Sequence, residues 1–219
     1  MKTIRVTGKG QLKVHPDMTR ITITLEGIYK DYAKTLRKSS EDTEEIKMLL
    51  MQFGFERTDL KTLSFNVEAE HENYKVKDEW KSRFLGYKYR HVVKVEFESD
   101  NQRLGKILYA LANCALNPVF RLSYTVKDPE AAKNELLGKA VQDAIAKAGV
   151  LSTAAGQKLG EIQNIDYSWG EINFEYRPMR GDCVCEPCMD LSSGGSFDMD
   201  IEPDDIDVQD TVTVIWEIV

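Results

Sequence analysis

The chain has 219 residues, 42% hydrophobic and 30% charged, with a formal net charge of −7. That length can build a sizeable core without disulfides, and the composition excludes collagen-like and fully disordered chains. Its longest apolar runs are a few residues, too short for a membrane-spanning helix.

The first residues, Met1 to Val6, run straight into strand pattern with no apolar h-region, so a cytoplasmic protein is expected. Ile21, Ile23 and Leu25 then alternate with Arg20, Thr22, Thr24 and Glu26. Residues 31–54 read as a helix with Leu36, Thr43, Ile46, Leu50 and Phe53 on one face, stopped by Gly54. Alternation returns at Leu63, Phe65, Val67 and Ala69, and again from Tyr87 through Phe97. Between these two strands, residues 71–85 read as a mobile hairpin tip.

Residues 101–116 form a second helix through Leu104, Ile107, Leu108 and Leu111, ended by Asn117-Pro118. Phe120, Leu122, Tyr124 and Val126 mark another strand. The third helix opens on Asp128 as cap and Pro129 as first residue. Leu136, Ala140, Ala144 and Ala148 then give it a small-residue stripe, which implies close approach to a sheet or helix. The last strand carries Val212, Val214, Trp216 and Ile218.

Clean alternation means one buried and one wet strand face, which rejects a doubly wound parallel sheet. The expected class is α+β: a mixed or antiparallel sheet with three helices packed mainly on one face, in the order β-β-α-β-β-α-β-α-β-β. A single domain over 1–219 is expected, with a long acidic, cysteine-containing loop inserted at about 177–208. Residues 177–210 hold ten acids against Arg177 and Arg180, a charge of −8 that leaves +1 for the rest of the chain. Such a body has no basic face for nucleic acid. Replacing 177–208 by a short turn is expected to cost no more than ~1–2 kcal/mol.

Within that loop, Cys183, Cys185 and Cys188 form a C-x-C-x-x-C cluster. Three thiolates so close can share one soft ion, Zn²⁺ or an iron–sulfur cluster. The fourth ligand is the difficulty: Cys114 lies on a helix, and His15, His71 and His91 are far off in sequence. Asp182, Glu186, Asp190 or a second subunit could complete the set. Neighbouring carboxylates raise thiol pKa values and oppose a reactive nucleophile. An inert loop ranks first, a metal site second and a reversible disulfide third. The acidic string Asp198 to Asp207 lacks the glycine turn and closing glutamate of a calcium loop, so a solvated acidic loop is the better reading.

Elsewhere the plain readings win. Gly8-Lys9-Gly10 reads as a turn rather than a phosphate loop, and His91 as a core or interface histidine. Tyr74, Trp80, Phe84, Tyr87 and Tyr89 interleave with lysines and arginines. This reads as aromatics facing inward, with an oligomer contact at the hairpin second and nucleic acid third.

Five segments in order carry a resemblance. They are Val6-Thr7-Gly8-Lys9-Gly10 with Pro16-Asp17, Asp59 to Phe65, Gly86-Tyr87, Ala140 to Ala148 continuing to Gly160, and Val212 to Glu217. Over roughly 1–176 and 209–219 the chain resembles the SIMPL-domain family of oxidative-stress defence and periplasmic immunogenic proteins. The resemblance implies an α+β fold, ring-like or channel-shaped homo-oligomers, and no established reaction or catalytic residues. The expected function is therefore a non-enzymatic oligomeric protein of unknown ligand, with a stress-protective, scaffold or binding role. A metal-binding or thiol-redox protein built on the cysteine loop is the alternative.

Overall fold

The computed structural model describes residues 2–76, 79–167, 172, 174–177 and 201–219. Its elements run β1 (Thr3–Val14), β2 (Met18–Tyr29), α1 (Tyr32–Met51), β3 (Lys61–Val76), β4 (Glu79–Glu98), α2 (Asn101–Ala112) and β5 (Val119–Thr125). They continue with α3 (Pro129–Ala154), β6 (Leu159–Tyr167), β7 (Glu175–Tyr176) and β8 (Ile206–Ile218). The class is α+β as expected, with the strands divided between two antiparallel sheets, β1-β8-β6 and β3-β4-β2-β5-β7. By packing, the chain forms two compact units, one within residues 1–17, 124–176 and 203–219, the other within 18–123.

All three helices start on an aspartate whose carboxylate accepts backbone N–H groups: Asp31 from Lys34, Asp100 from Gln102 and Arg103, Asp128 from Ala131. These bonds satisfy donors that a helix leaves open in its first turn. Gly54 and Gly156 follow α1 and α3 at φ of +82° and +66°, the left-handed geometry that ends a helix.

In the 18–123 unit, the alternating Ile21, Ile23 and Leu25 of β2 and Val93, Val95 and Phe97 of β4 share one sheet face. Both helices cover that face, α1 through Ile46 and Leu50, α2 through Leu104, Ile107 and Leu111. The polar face carries Arg20 and Lys94, which both pair with Glu96.

In the other unit, α3 lies on β1 and β8. Its buried stripe is Leu136, Ala140, Ala144, Ala148 and Ser152, and the close approach implied by those alanines is present. Gly8 and Gly10 of β1 sit directly beneath it. A Cβ on Gly8 would overlap the Ala140 carbonyl oxygen and the Ala144 amide nitrogen, and one on Gly10 the Leu136 carbonyl oxygen. The Gly8-Lys9-Gly10 segment is therefore mid-strand rather than a turn. Between the two glycines, the Lys9 N–H donates to Asp143 of α3 at 2.7 Å.

Two boundaries differ from the sequence reading. β8 begins at Ile206, six residues before Val212, and pairs through Val14↔Ile206 and Leu12↔Val208. Ile206 and Val208 are buried with Leu136, Val126 and Phe174, so they belong to the core and not to an inserted loop. Residues 71–85, read as a hairpin tip, are largely strand. β3 and β4 continue as a paired ribbon from His71↔Phe84 to Val76↔Glu79.

Candidate interaction surface

The ribbon is where the 18–123 unit exposes unusual chemistry. β2 pairs with β4 only as far as Tyr29↔Tyr87, so beyond that point β3 and β4 form a two-stranded arm. A register shift between Glu70 and His71 inserts Leu85 as an extra residue in β4. A bulge reverses which side chains face which way. Even-numbered Trp80, Ser82 and Phe84 consequently continue the face of Tyr87, Tyr89 and His91.

On that face, edge-to-face aromatic contacts run from Tyr32 of α1 to Tyr87, from Tyr87 to Phe84, and from Phe84 to His71, with centroids 5.2, 5.3 and 5.5 Å apart. Trp80 stands outermost and is 73% exposed; Phe84 is 46% exposed. The opposite face holds the ion pair of Arg83 with Glu72, and the Arg83 guanidinium lies 5.6 Å from the Tyr74 ring centre. Of the five aromatics expected to face inward, Tyr89 is buried, whereas Tyr74, Trp80 and Phe84 are exposed. The reason is topological: among the described residues, no third strand and no helix covers the arm. Two-stranded ribbons are marginal alone in water, and an exposed aromatic cluster marks a contact surface.

Beneath α1, His91 links helix and edge strand. Its Nδ1 lies 2.9 Å from Thr43 Oγ1, and its Nε2 lies 2.9 Å from Thr62 Oγ1. The Thr43 hydroxyl donates to the Ser39 carbonyl at 2.7 Å, so Nδ1 carries the hydrogen that Thr43 accepts. Nε2 is then the acceptor for Thr62. Burial, and secondarily Lys47, hold the imidazole pKa below its usual value.

A hydroxyl donating to an imidazole nitrogen is the start of a nucleophile–base pair. Here the third member is a neutral threonine rather than a carboxylate, and the nearby charge is a lysine. The lysine destabilises the imidazolium that such catalysis needs, and the threonine brings no negative charge to offset it. The next strand residue toward the helix, Tyr89, donates its hydroxyl to Asp42, and burial followed by that hydrogen bond raises the phenol pKa far above normal.

A pH dependence follows. The folded pKa of His91 lies below the unfolded value of about 6.5, so the unfolded chain binds the proton first. Stability from the neutral imidazole is complete above pH ~6.5 and declines as pH falls from there toward the folded pKa. Denaturant midpoints at pH 7.5 and 5.0 should therefore differ more for the native chain than for His91→Gln; equal differences would remove His91 as the source.

The other sequence candidates are placed as follows. Cys183, Cys185 and Cys188 lie outside the described residues, as do Asp182, Glu186 and Asp190. Cys114 falls just after α2, buried, with Sγ 3.9 Å from Glu45 Oε1. His15 pairs with Asp205 at 3.2 Å, and Lys13 with Asp207 at 3.8 Å, both on the surface. Among the described residues, no three His, Cys, Asp or Glu side chains are grouped to hold a metal ion. No helix among them is long and apolar enough to cross a membrane.

The SIMPL family, described as a protein of unknown function (DUF541), matches residues 4–216, and the chain belongs to it. It is similar to the 26 kDa periplasmic immunogenic protein of Brucella melitensis biotype 1, with 28% identity over 163 residues. The protein of the same name from Brucella abortus (strain S19) is 27% identical over the same length. Each match takes in 74% of this chain and 65% of the relative, just under two thirds of the relative's length.

Both relatives are named as periplasmic, which overturns the cytoplasmic expectation. That expectation rested on strand pattern at Met1 to Val6. A mature exported chain, with its signal removed, also begins on folded sequence, so the pattern does not separate the two compartments.

Proposed function

We propose that this chain is an exported, non-enzymatic SIMPL protein that assembles with copies of itself into a binding or stress-protective scaffold, the β3–β4 arm being its assembly contact. The observation that carries this reading is the arm's uncovered aromatic face, with Trp80 and Phe84 projecting beyond the last residue paired to β2. Export is supported by the names of the two relatives. A binding rather than catalytic role is supported by the polar groups themselves: His91, Tyr89 and Asp42 are spent on partners that fix α1 to the sheet.

The test is solution mass by light scattering over a wide concentration range. The native chain should exceed the monomer mass, and the double change Trp80→Asp, Phe84→Asp should reduce it to the monomer with the melting temperature held within a few degrees. A native chain that remains monomeric throughout would end this reading.

A further inference from the structure

The unit that contains α3 has an uncovered apolar surface of its own. In β6, Ile162, Ile165 and Tyr167 pair across from Trp216, Val214 and Val212 of β8, so all six share one sheet face. The three β8 residues are buried, while Ile162 and Ile165 are each 48% exposed. The cause is the position of α3. Its Asp143 flank is held over β1 by the Lys9 N–H, leaving the Leu137, Val141 and Ile145 flank on the β6 side. The helix covers β1 and β8 and barely reaches β6. Ile145 is itself 46% exposed, so an apolar shelf runs between the helix flank and the edge strand.

We propose that this shelf receives the arm of a second copy, with the β4 segment Glu79–Phe84 running beside β6 and Trp80 and Phe84 covering Ile162 and Ile165. The proposal rests on the assembly reading and names the arm's partner. Three features of the two surfaces match. Among the described residues, β6 ends its sheet and Glu79–Phe84 lies beyond the reach of β2, so each brings a strand edge that can accept main-chain hydrogen bonds. Each has one apolar face. Their charges also oppose: outside the Glu72–Arg83 pair the described arm carries Lys75 and Lys81 against Glu79, whereas β6 carries Glu161 and Asp166. The contact joins unlike surfaces, so copies add head to tail and either close into a ring or continue as a filament.

A mixing experiment separates this from a contact of arm with arm. Trp80→Asp spoils the arm and leaves the shelf; Ile165→Asp spoils the shelf and leaves the arm. Each variant alone should be monomeric, and an equimolar mixture should form a one-to-one dimer of twice the monomer mass, since one intact arm then meets one intact shelf. An exposed pair gives a second measurement that does not burden folding: Asp166→Lys or Lys81→Asp alone should weaken assembly several-fold, and the two together should restore it. If Ile165→Asp and Asp166→Lys assemble like the native chain, or the mixture stays monomeric, the shelf is not the partner and the arm reading stands. If Trp80→Asp assembles like the native chain, the arm reading itself fails.

Discussion

Replacing Gly8 by alanine should lower stability by about 3 kcal/mol or prevent folding of the α3 unit, although the added group is a single methyl. Overpacking usually costs 1–3 kcal/mol where neighbouring side chains can shift. Here the obstruction is backbone, the Ala140 carbonyl oxygen and the Ala144 amide, with Ala144 Cβ at 2.7 Å. Relief requires lifting the helix off β1, which uncovers Val6, Val212 and Val214 together. Gly10→Ala should behave alike against Leu136, whereas Gly138→Ala, with nothing within 4 Å of the new Cβ, should be neutral or slightly stabilising. Thermal melts of the three variants check the contrast. Gly8→Ala and Gly138→Ala melting together would mean that α3 does not rest on the strand.

Val208→Asp should cost at least about 3 kcal/mol, combining lost apolar burial with an unpaired charge in the core. Val208 sits opposite Leu12 and packs with Leu136 and Ile206. The neighbouring Gln209→Asp, on the exposed face, should be nearly silent. Denaturant midpoints for the pair therefore locate the start of β8. Two silent variants would return residues 206–208 to the loop. The same packing revises the expected tolerance of the acidic segment to replacement, because a cut that reaches 208 removes Ile206 and Val208 from the core.

That revision shows where the chain was legible. Alternation at Ile21, Ile23 and Leu25, or at Val212, Val214 and Trp216, reports a half-buried strand directly, and the alanine stripe of α3 gave its close approach. The start of β8 was hidden because Asp207 lends it the composition of the acidic loop before it, and because Asp210 takes an inward position, interrupting the apolar alternation although burial keeps period two from Ile206 onward. β6 was implied by the order of elements but not placed. Register shifts after Leu159 and Ile162 break its period, so Ile162 and Ile165 stand at an odd spacing. The arm failed for a different reason. Alternation shows that two faces differ without showing what covers either, and the aromatics of Tyr74 to Phe84 look alike in a core and on an uncovered ribbon.

The pairing of Thr3 with Glu217 also sets a timetable. Residues 18–123 contain every residue of the core that α1 and α2 cover, with only the end of β5 and the two-residue β7 of their sheet lying outside, so that core can form as soon as the stretch exists. The α3 unit takes its first strand from one end of the chain and its central strand from the other. Closing so long a loop in an unfolded chain costs on the order of 5 kcal/mol of entropy. Prior folding of 18–123 shortens the loop that remains free and lowers that cost. Long-range strand pairing is the slow part of folding, and until Ile206–Ile218 arrives, β1 and α3 have no sheet between which to share their apolar faces. β8 thus acts as a clasp, and the unit it closes is the later of the two to become native.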